Sequence, residues 1–437
     1  MLPIVVLGTG MAGFGAARHL ASERVPFEIY DKSPYYGGHT RTYTHPGGWI
    51  FDDGPHVSLT KDDRVKEIFA NAVDGAYEEI PARLNNYWHG HWITHPAQVN
   101  LHGLPVDDLV KIIGQFVDAQ QTGSEREIRT YEDYCRVAYG DAFAEMFPLT
   151  YGLKYHTTSA DNMTTDWLGS RMYRPSLEEV LRGALSPEPI TEVHYVTSFR
   201  YPRYGGFMSY MRPWAESASL RLGHELVRLD PTRRQAHFAS GVVAAYSQII
   251  SSVPLPDIIP MIDGVPDDIV EAARTLAATK VVMVNLGIGR DDLATDQITY
   301  FYDEDIIFPR ISYPHLLSPN VVPLGSGSIQ VEVYFSDKYK PLVDSPESFI
   351  EPVIHDLTRV GILREDDEIM FREARLAPYG NIIFDLDRTA AIAAVHGYLR
   401  DIRVLYCGRY GDWDHSWTDA SFLSGERAAI AAIDAER

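Results

Sequence analysis

Cysteine is nearly absent: Cys135 and Cys407 are the only two in 437 residues. Two thiols cannot build a disulfide framework, so a reducing compartment is expected. No apolar run reaches the roughly 18 to 20 residues of a membrane span. The opening Met1-Leu2-Pro3-Ile4-Val5-Val6-Leu7 lacks the basic stretch and the longer apolar segment of an export signal, and it runs straight into Gly8. It reads as a strand, and the chain as a soluble cytoplasmic enzyme. Positive charge is scarce as well: 39 Lys and Arg face 60 Asp and Glu, a net charge of −21. Such a surface repels a phosphodiester backbone, so no nucleic-acid partner is expected. Internal repeats and low-complexity linkers are missing, and glycine and proline are scattered without a period, which excludes collagen-like and low-complexity chains. What remains is an ordinary globular composition, 45 % hydrophobic and 23 % charged, in a chain long enough for about two to three domains.

The first thirty residues carry the clearest pattern. Ile4-Val5-Val6-Leu7 is a short unbroken apolar run, as in a parallel strand buried on both faces. Gly8-Thr9-Gly10-Met11-Ala12-Gly13 follows, then Ala16, Ala17 and Leu20 at helical spacing, then the strand Pro26-Phe27-Glu28-Ile29-Tyr30 ending on Asp31. Strand, glycine turn, helix, strand and acid at this spacing predict a dinucleotide site. Gly8 allows the tight turn, Gly10 admits a pyrophosphate to the backbone, Gly13 lets helix and strand close up, and Asp31 accepts from ribose hydroxyls. A second glycine pair, Gly37-Gly38, comes just after the acid. It resembles the signature of the FAD-containing amine-oxidase-like superfamily, which implies tightly held, non-covalent FAD rather than a nicotinamide nucleotide. A second cofactor contact is expected from the far end. There Val404-Leu405-Tyr406-Cys407 runs into Gly408-Arg409, and Thr418 or Asp419 caps a helix whose positive end faces the flavin.

Between these ends the pattern changes. Leu109, Ile112, Ile113, Phe116 and Val117 recur at helical spacing, whereas short β-rich runs fill Lys280 to Tyr334. Leu226–Leu229 and Gln248–Val253 read as strands returning to the nucleotide domain. The expected fold is α/β: a discontinuous Rossmann-like FAD-binding domain (1–84, 199–262 and 372–437), a helical insertion (105–198), and an antiparallel-sheet substrate domain (85–104 and 263–371).

Four further stretches carry more polar and aromatic detail than packing requires: Phe51–His56, Trp92–Leu101, Tyr151–His156 with Trp167–Arg171, and Tyr300–Arg310 leading into Leu317-Ser318-Pro319-Asn320. Together with the glycine motifs, and in this order, they resemble the UDP-galactopyranose mutase family over most of the chain. The resemblance implies an enzyme in which N5 of reduced flavin attacks the anomeric carbon of a nucleotide sugar, and the ring opens and recloses at another size. It implies His56 beside the flavin, and Arg171 and Arg310 on the pyrophosphate or sugar. It also implies Gln98 and Tyr300 in the substrate pocket, and Arg41, Val227, Gly408, Arg409 and Asp419 on the cofactor. A reduced nicotinamide nucleotide is a candidate reductant.

The chain departs from that family where base and sugar are held. His95 and Ala97 stand in place of aromatic residues, Gly152 and His156 in place of Asn and Trp, and His415 and Asn381 in place of two tyrosines. Hence the expected substrate is a phosphorylated or nucleotide-linked sugar other than UDP-galactopyranose. The alternative is an FAD-dependent oxidase or dehydrogenase of the amine-oxidase-like superfamily. Each histidine also has a purely structural reading, and Tyr300 has one as a sheet core residue. As pocket residues, His95, His156 and His415 would change charge around neutral pH. Their sequence contexts lack the spacing of a common metal motif, so no metal is expected. Oligomeric state stays open.

Overall fold

The structure, a computed structural model, describes residues 2–122, 127–169, 172–193 and 196–437. Among these, Ile4–Leu7 is the centre of a five-stranded parallel sheet and is buried along its whole length. Phe27–Asp31 and then Leu220–Leu222 extend the sheet on one side, Ile249–Ser251 and then Val404–Tyr406 on the other. Ile4 and Val6 pack under the helices Met11–Ser22 and Thr418–Asp434, while Val5 and Leu7 enter a cluster with Leu255 and Ile258 on the opposite face. Neither face meets water, which is why the sequence there is apolar without alternation. Segments far apart in the chain thus complete one sheet, as expected.

Leu226–Asp230 does not join it. The chain turns at Gly223 (φ 71°) and makes an antiparallel meander with Gln235–Phe238 and Val243–Ala245 instead.

A second, seven-stranded sheet runs in the order Ile369–Ala377, Thr279–Ile288, Gly327–Ser336, Arg310–Ser312, Ile298–Phe301, Leu84–Trp88, His91–Thr94. It is antiparallel except where Ile298–Phe301 lies parallel to Leu84–Trp88, so the sheet is mixed rather than wholly antiparallel. Alternation decides its two faces. Val282, Val284, Leu286, Ile311, Ile329, Val331 and Val333 form an apolar cluster on one side. The opposite side carries Met283, Glu332, Arg310 and Tyr300 at successive register positions. The sequence limits near 263 and 372 do not follow the elements. Ile369–Ala377 pairs with Thr279–Ile288, and helix Asp267–Thr275 packs on helix Arg388–Asp401 beside the parallel sheet. Strands find partners by hydrogen bonding, and neither limit had a local signal.

Helices Val106–Thr122, Tyr131–Tyr139, Asp141–Ala144, Thr150–His156 and Leu177–Leu185 supply the layer predicted for 105–198. Capping boxes, Thr130 with Asp133 and Ser176 with Glu179, start two of them. Pro148 has no N–H to give, and the turn around it, Glu145–Leu149, is π-helical. That turn leads directly into Thr150–His156.

The first and last helices touch backbone to backbone. A Cβ on Gly15 would lie 2.0 Å from the Phe422 carbonyl oxygen, and one on Gly425 would lie 1.8 Å from that of Ala12. Gly425→Ala gains about 1 kcal/mol of helix propensity but must push two backbones apart. We expect a net loss of about 1–3 kcal/mol. Gly114, in helix Val106–Thr122, is the control, because a Cβ added there would meet nothing within 4 Å. Gly114→Ala should raise stability by up to about 1 kcal/mol. Chemical denaturation of both variants checks the opposite signs.

Candidate active site

Two cavities, of about 460 Å³ and about 350 Å³, share His39, Asp53, His56, Arg409, Trp417 and Thr418 as lining, so they meet at one junction. The larger is walled by the two glycine loops. Gly8 turns with φ 100°, and a Cβ on Gly13 would sit 1.9 Å from the Gly8 carbonyl oxygen, which leaves glycine alone able to bring helix and turn together. Gly37 donates its N–H to the Thr9 carbonyl at 3.0 Å, and a Cβ on Gly38 would come within 3.1 Å of Gly10 Cα. The second pair therefore packs on the first loop. Asp31 Oδ2 accepts from the N–H and hydroxyl of Thr9 at 2.8 and 2.6 Å, and Oδ1 accepts from the N–H of Ser33 at 2.8 Å. These bonds fix the carboxylate at the cavity wall. Arg41 stacks between Tyr35 and Tyr43, 3.7 and 4.3 Å from their ring centres, with no carboxylate partner among the described residues. Its guanidinium is thus oriented by rings and keeps its donors for an anion.

At the far end of this cavity Tyr30 stacks on Phe238, centroids 4.3 Å apart, beside His224 and Leu226. Sequence reasoning named none of these as a site residue. It named Val227, whose side chain is half exposed and lines neither cavity, whereas its neighbour Leu226 is buried and lines the first. Gly408 has φ 77° and donates its N–H to Ser424 Oγ at 3.0 Å. The last helix starts at the junction, but neither Thr418 nor Asp419 caps it. Trp417 is the N-cap and makes no side-chain capping bond, and Asp419 lines neither cavity. The positive end of the helix lies at the junction. Arg409 donates to the Ser416 carbonyl through Nε and Nη2 at 3.0 and 2.7 Å, and to the Gly380 carbonyl through Nη1 at 3.3 Å.

His56 Nδ1 lies 3.0 Å from the Gly54 carbonyl oxygen. A carbonyl only accepts, so Nδ1 carries the proton. Burial first, then the nearby His39 and Arg409, hold the ring's pKa well below the usual value. The neutral ring presents a bare Nε2, an acceptor. His39, which the sequence reading passed over, packs edge-on against it.

The second cavity lies between the polar face of the seven-stranded sheet and the helical layer. Arg310 and Glu332 form a two-pronged ion pair through Nε and Nη2, and Nη2 also reaches Tyr334 Oη at 3.2 Å. Arg310 stands 5.5 Å from the Tyr155 ring centre. Nη1 has no hydrogen-bond partner among the described residues. Glu332, Tyr334, Tyr151 and Tyr155 were not singled out as site residues. The alternation Gln330, Glu332, Tyr334 within a buried strand was the available signal, since a polar face on a central strand needs a reason.

His95, Gln98, His156, Tyr300, Asn381 and His415 all line this cavity. The His95 ring lies 5.0 Å from Tyr300, and its Nδ1 is 3.1 Å from Oδ1 of buried Asn86. Asn381 is held through its backbone by Thr279, and His415 donates its N–H to Asp414 at 2.8 Å. His156 packs on Trp167, and burial pulls its pKa down to about 3, so it stays neutral through the physiological range instead of switching. Arg171 lies outside the described residues. Among those described, no group of three or more His, Cys, Asp or Glu side chains is arranged to hold a metal. The Ser318-Pro319-Asn320 motif is a tie, not a ligand group: Ser318 Oγ and Asn320 Nδ2 both donate to the Arg203 carbonyl, at 2.7 and 3.0 Å.

A family model described as an NAD(P)-binding Rossmann-like domain matches residues 6–72. A solved structure of reduced UDP-galactopyranose mutase aligns over 100 % of this chain and 96 % of its own, with TM-score 0.91 and 22 % identity. The fold is that of UDP-galactopyranose mutase. Oxidase and isomerase structures align less closely. Putrescine oxidase bound to putrescine gives TM-score 0.65 at 13 % identity over 99 % of both chains. A CLA-producing fatty acid isomerase from P. acnes gives 0.68 at 12 % over 98 % of both. The mutase likeness extends through the helical layer and the sheet that enclose the second cavity, since the whole chain is covered.

One cation braces that cavity from behind. Lys154 donates to the Phe301 and Asp303 carbonyls at 3.2 and 2.9 Å, joining helix Thr150–His156 to the segment that follows Tyr300. Burial lowers its pKa to about 7 from the ordinary 10.5. Between those values the unfolded chain binds the extra proton, so this residue makes stability rise with pH. We expect Lys154→Met to flatten the rise in unfolding free energy between about pH 7 and 9, measured by urea denaturation at several pH values.

Proposed function

We propose that this chain binds FAD and is a mutase-type flavoenzyme acting, with the flavin reduced, on a phosphorylated or nucleotide-linked sugar. The first cavity suits the cofactor: two interlocked glycine loops, an anchored Asp31, the stacked Arg41 with no carboxylate partner among the described residues, and the positive end of the last helix at the junction. Bound there, reduced flavin supplies a nucleophilic N5 for the anomeric carbon, with no net redox change. His56 Nε2 offers an acceptor at that junction.

The observation that carries the substrate reading is the Arg310 guanidinium. Glu332 fixes its orientation and balances its charge, and Nη1 is left as a donor at the wall of the second cavity. An arginine so held suits phosphate oxygens better than a freely moving side chain, because its rotamer entropy is already lost. His95, Ala97, Gly152 and His156 argue against UDP-galactopyranose itself, because stacking surface for its base and sugar is gone. The second reading is an FAD oxidase of the amine-oxidase-like superfamily. It is favoured by the tyrosine wall formed by Tyr151, Tyr155, Tyr300, Tyr302 and Tyr334, which would receive a compact organic substrate equally well.

Purified protein should be yellow and should release FAD on heating. Titrating the reduced protein with UDP, GDP, CDP and dTDP, followed by flavin fluorescence, identifies the base. Arg310→Ala should weaken the best of these roughly ten- to a hundredfold, the worth of one charge-assisted contact, and keep its flavin. Unchanged affinity in that variant removes phosphate from the substrate description, and one peroxide per turnover would establish the oxidase reading. His56→Ala should retain FAD and lose turnover by about two orders of magnitude, measured in steady state.

A further inference from the structure

Two imidazoles meet at the junction of the cavities, with His39 and His56 ring centroids 5.2 Å apart and their planes nearly perpendicular. They are not equivalent. His56 is enclosed, and its single proton is engaged by the Gly54 carbonyl. The His39 side chain is 24 % exposed, and its Nδ1 lies 3.7 Å from Oδ2 of Asp53. The other groups facing His39 are Tyr410, at 6.2 Å between ring centres, and Arg409, three of whose N–H groups go to backbone carbonyls. Asp53 is the only carboxylate among the six lining residues that the two cavities share.

We propose that His39, oriented by Asp53, takes up a proton when flavin bound at this junction is reduced. The proposal rests on the flavin reading above. The charges support it. With oxidised flavin, whose ring system is neutral, Asp53 and Arg409 bring one charge of each sign to the junction, and the enclosed His56 adds none. A hydride from a reduced nicotinamide nucleotide brings two electrons and one proton to N5 and leaves the flavin with one negative charge. A second proton, drawn from solvent through the exposed edge of His39, forms an N–H bond on its ring. The imidazolium then restores neutrality in a site where an uncompensated charge would be poorly solvated. His56 cannot serve, because a second proton on that enclosed ring would have to face His39 and Arg409. Asp53 is a positioning residue: its carboxylate favours the charged ring and sets which edge of it turns toward the cavity.

The midpoint potential of the holoprotein, measured against pH with dithionite as reductant, tests this. Uptake of two protons with two electrons makes the potential fall twice as steeply with pH as uptake of one. Wild type should show the steeper slope over part of the range from about pH 6 to 9, and His39→Gln should halve it with flavin content unchanged. Asp53→Asn should confine the steep region to lower pH, and Asp53→Glu should restore it. NMR of ring-labelled histidine should show His39 becoming imidazolium on reduction while His56 stays neutral. Equal slopes in wild type and His39→Gln, or a His39 ring unchanged by reduction, overturn the proposal. A protein that binds no flavin overturns the flavin reading itself, whereas a flavoprotein with a single-proton slope overturns only the role of His39.

Discussion

The close approach of the first and last helices governs the rest of this molecule. Gly15 and Gly425 let the backbones meet where any side chain would hold them apart, and the two helices together cover one face of the parallel sheet. Because each helix begins at the cavity region, this contact brings the Gly8–Gly13 turn and the Trp417–Thr418 helix start to the same cavity. The two chain ends thus build one wall of the larger cavity. Gly37 and Gly38 extend the same principle to the second loop, which lies on the first at van der Waals distance. In a dense interior, only the absence of a side chain admits such contacts.

Electrostatics is organised by neutralisation within the site, not by the net charge of −21. Arg310 is matched by Glu332, Arg409 is anchored but not neutralised by backbone carbonyls, and His56 and His156 are held uncharged by burial. Removing Glu332 would strand a buried guanidinium, which typically costs about 3–5 kcal/mol. Arg41 is the exception, stacked between rings with its donors uncommitted, at the wall where anionic phosphates would have to be attracted into an acidic protein. Binding of an anion by this chain therefore depends on a few oriented donors, since the long-range field opposes it.

Much of the first cavity was legible in the sequence because its pattern is local. Gly8, Gly10, Gly13 and Asp31 fall within one strand–turn–helix–strand unit, and a backbone loop of glycines has few other uses. The second cavity was less legible. His95, Gln98, His156, Tyr300, Arg310, Asn381 and His415 do converge on one cavity, but what each does there depends on partners far away in the chain. Tyr334 and Glu332 became site residues only when strand Gly327–Ser336 paired with Arg310–Ser312. Val227 stands outside both cavity linings, beside a β-bulge between Leu226 and Arg228 that no local pattern announces. The Ser318–Asn320 motif, more polar than packing requires when read as sequence, serves as a tie to Arg203.

By itself the sequence determined the elements: where strands, glycine turns and helices form, and that a dinucleotide-type loop opens the chain. Those outcomes follow from backbone sterics and hydrophobic period, which act over a few residues. Tertiary structure alone decided which protons the histidines hold, because the enclosure of His56 and the aromatic packing around His156 are built by segments distant in the chain. It also decided that Arg310 would be paired, that Val227 would face outward, and that His39 and Asp53 would share the junction with His56. Protonation and pairing are set by desolvation and by neighbours a few ångströms away, and no local pattern of residue types records either.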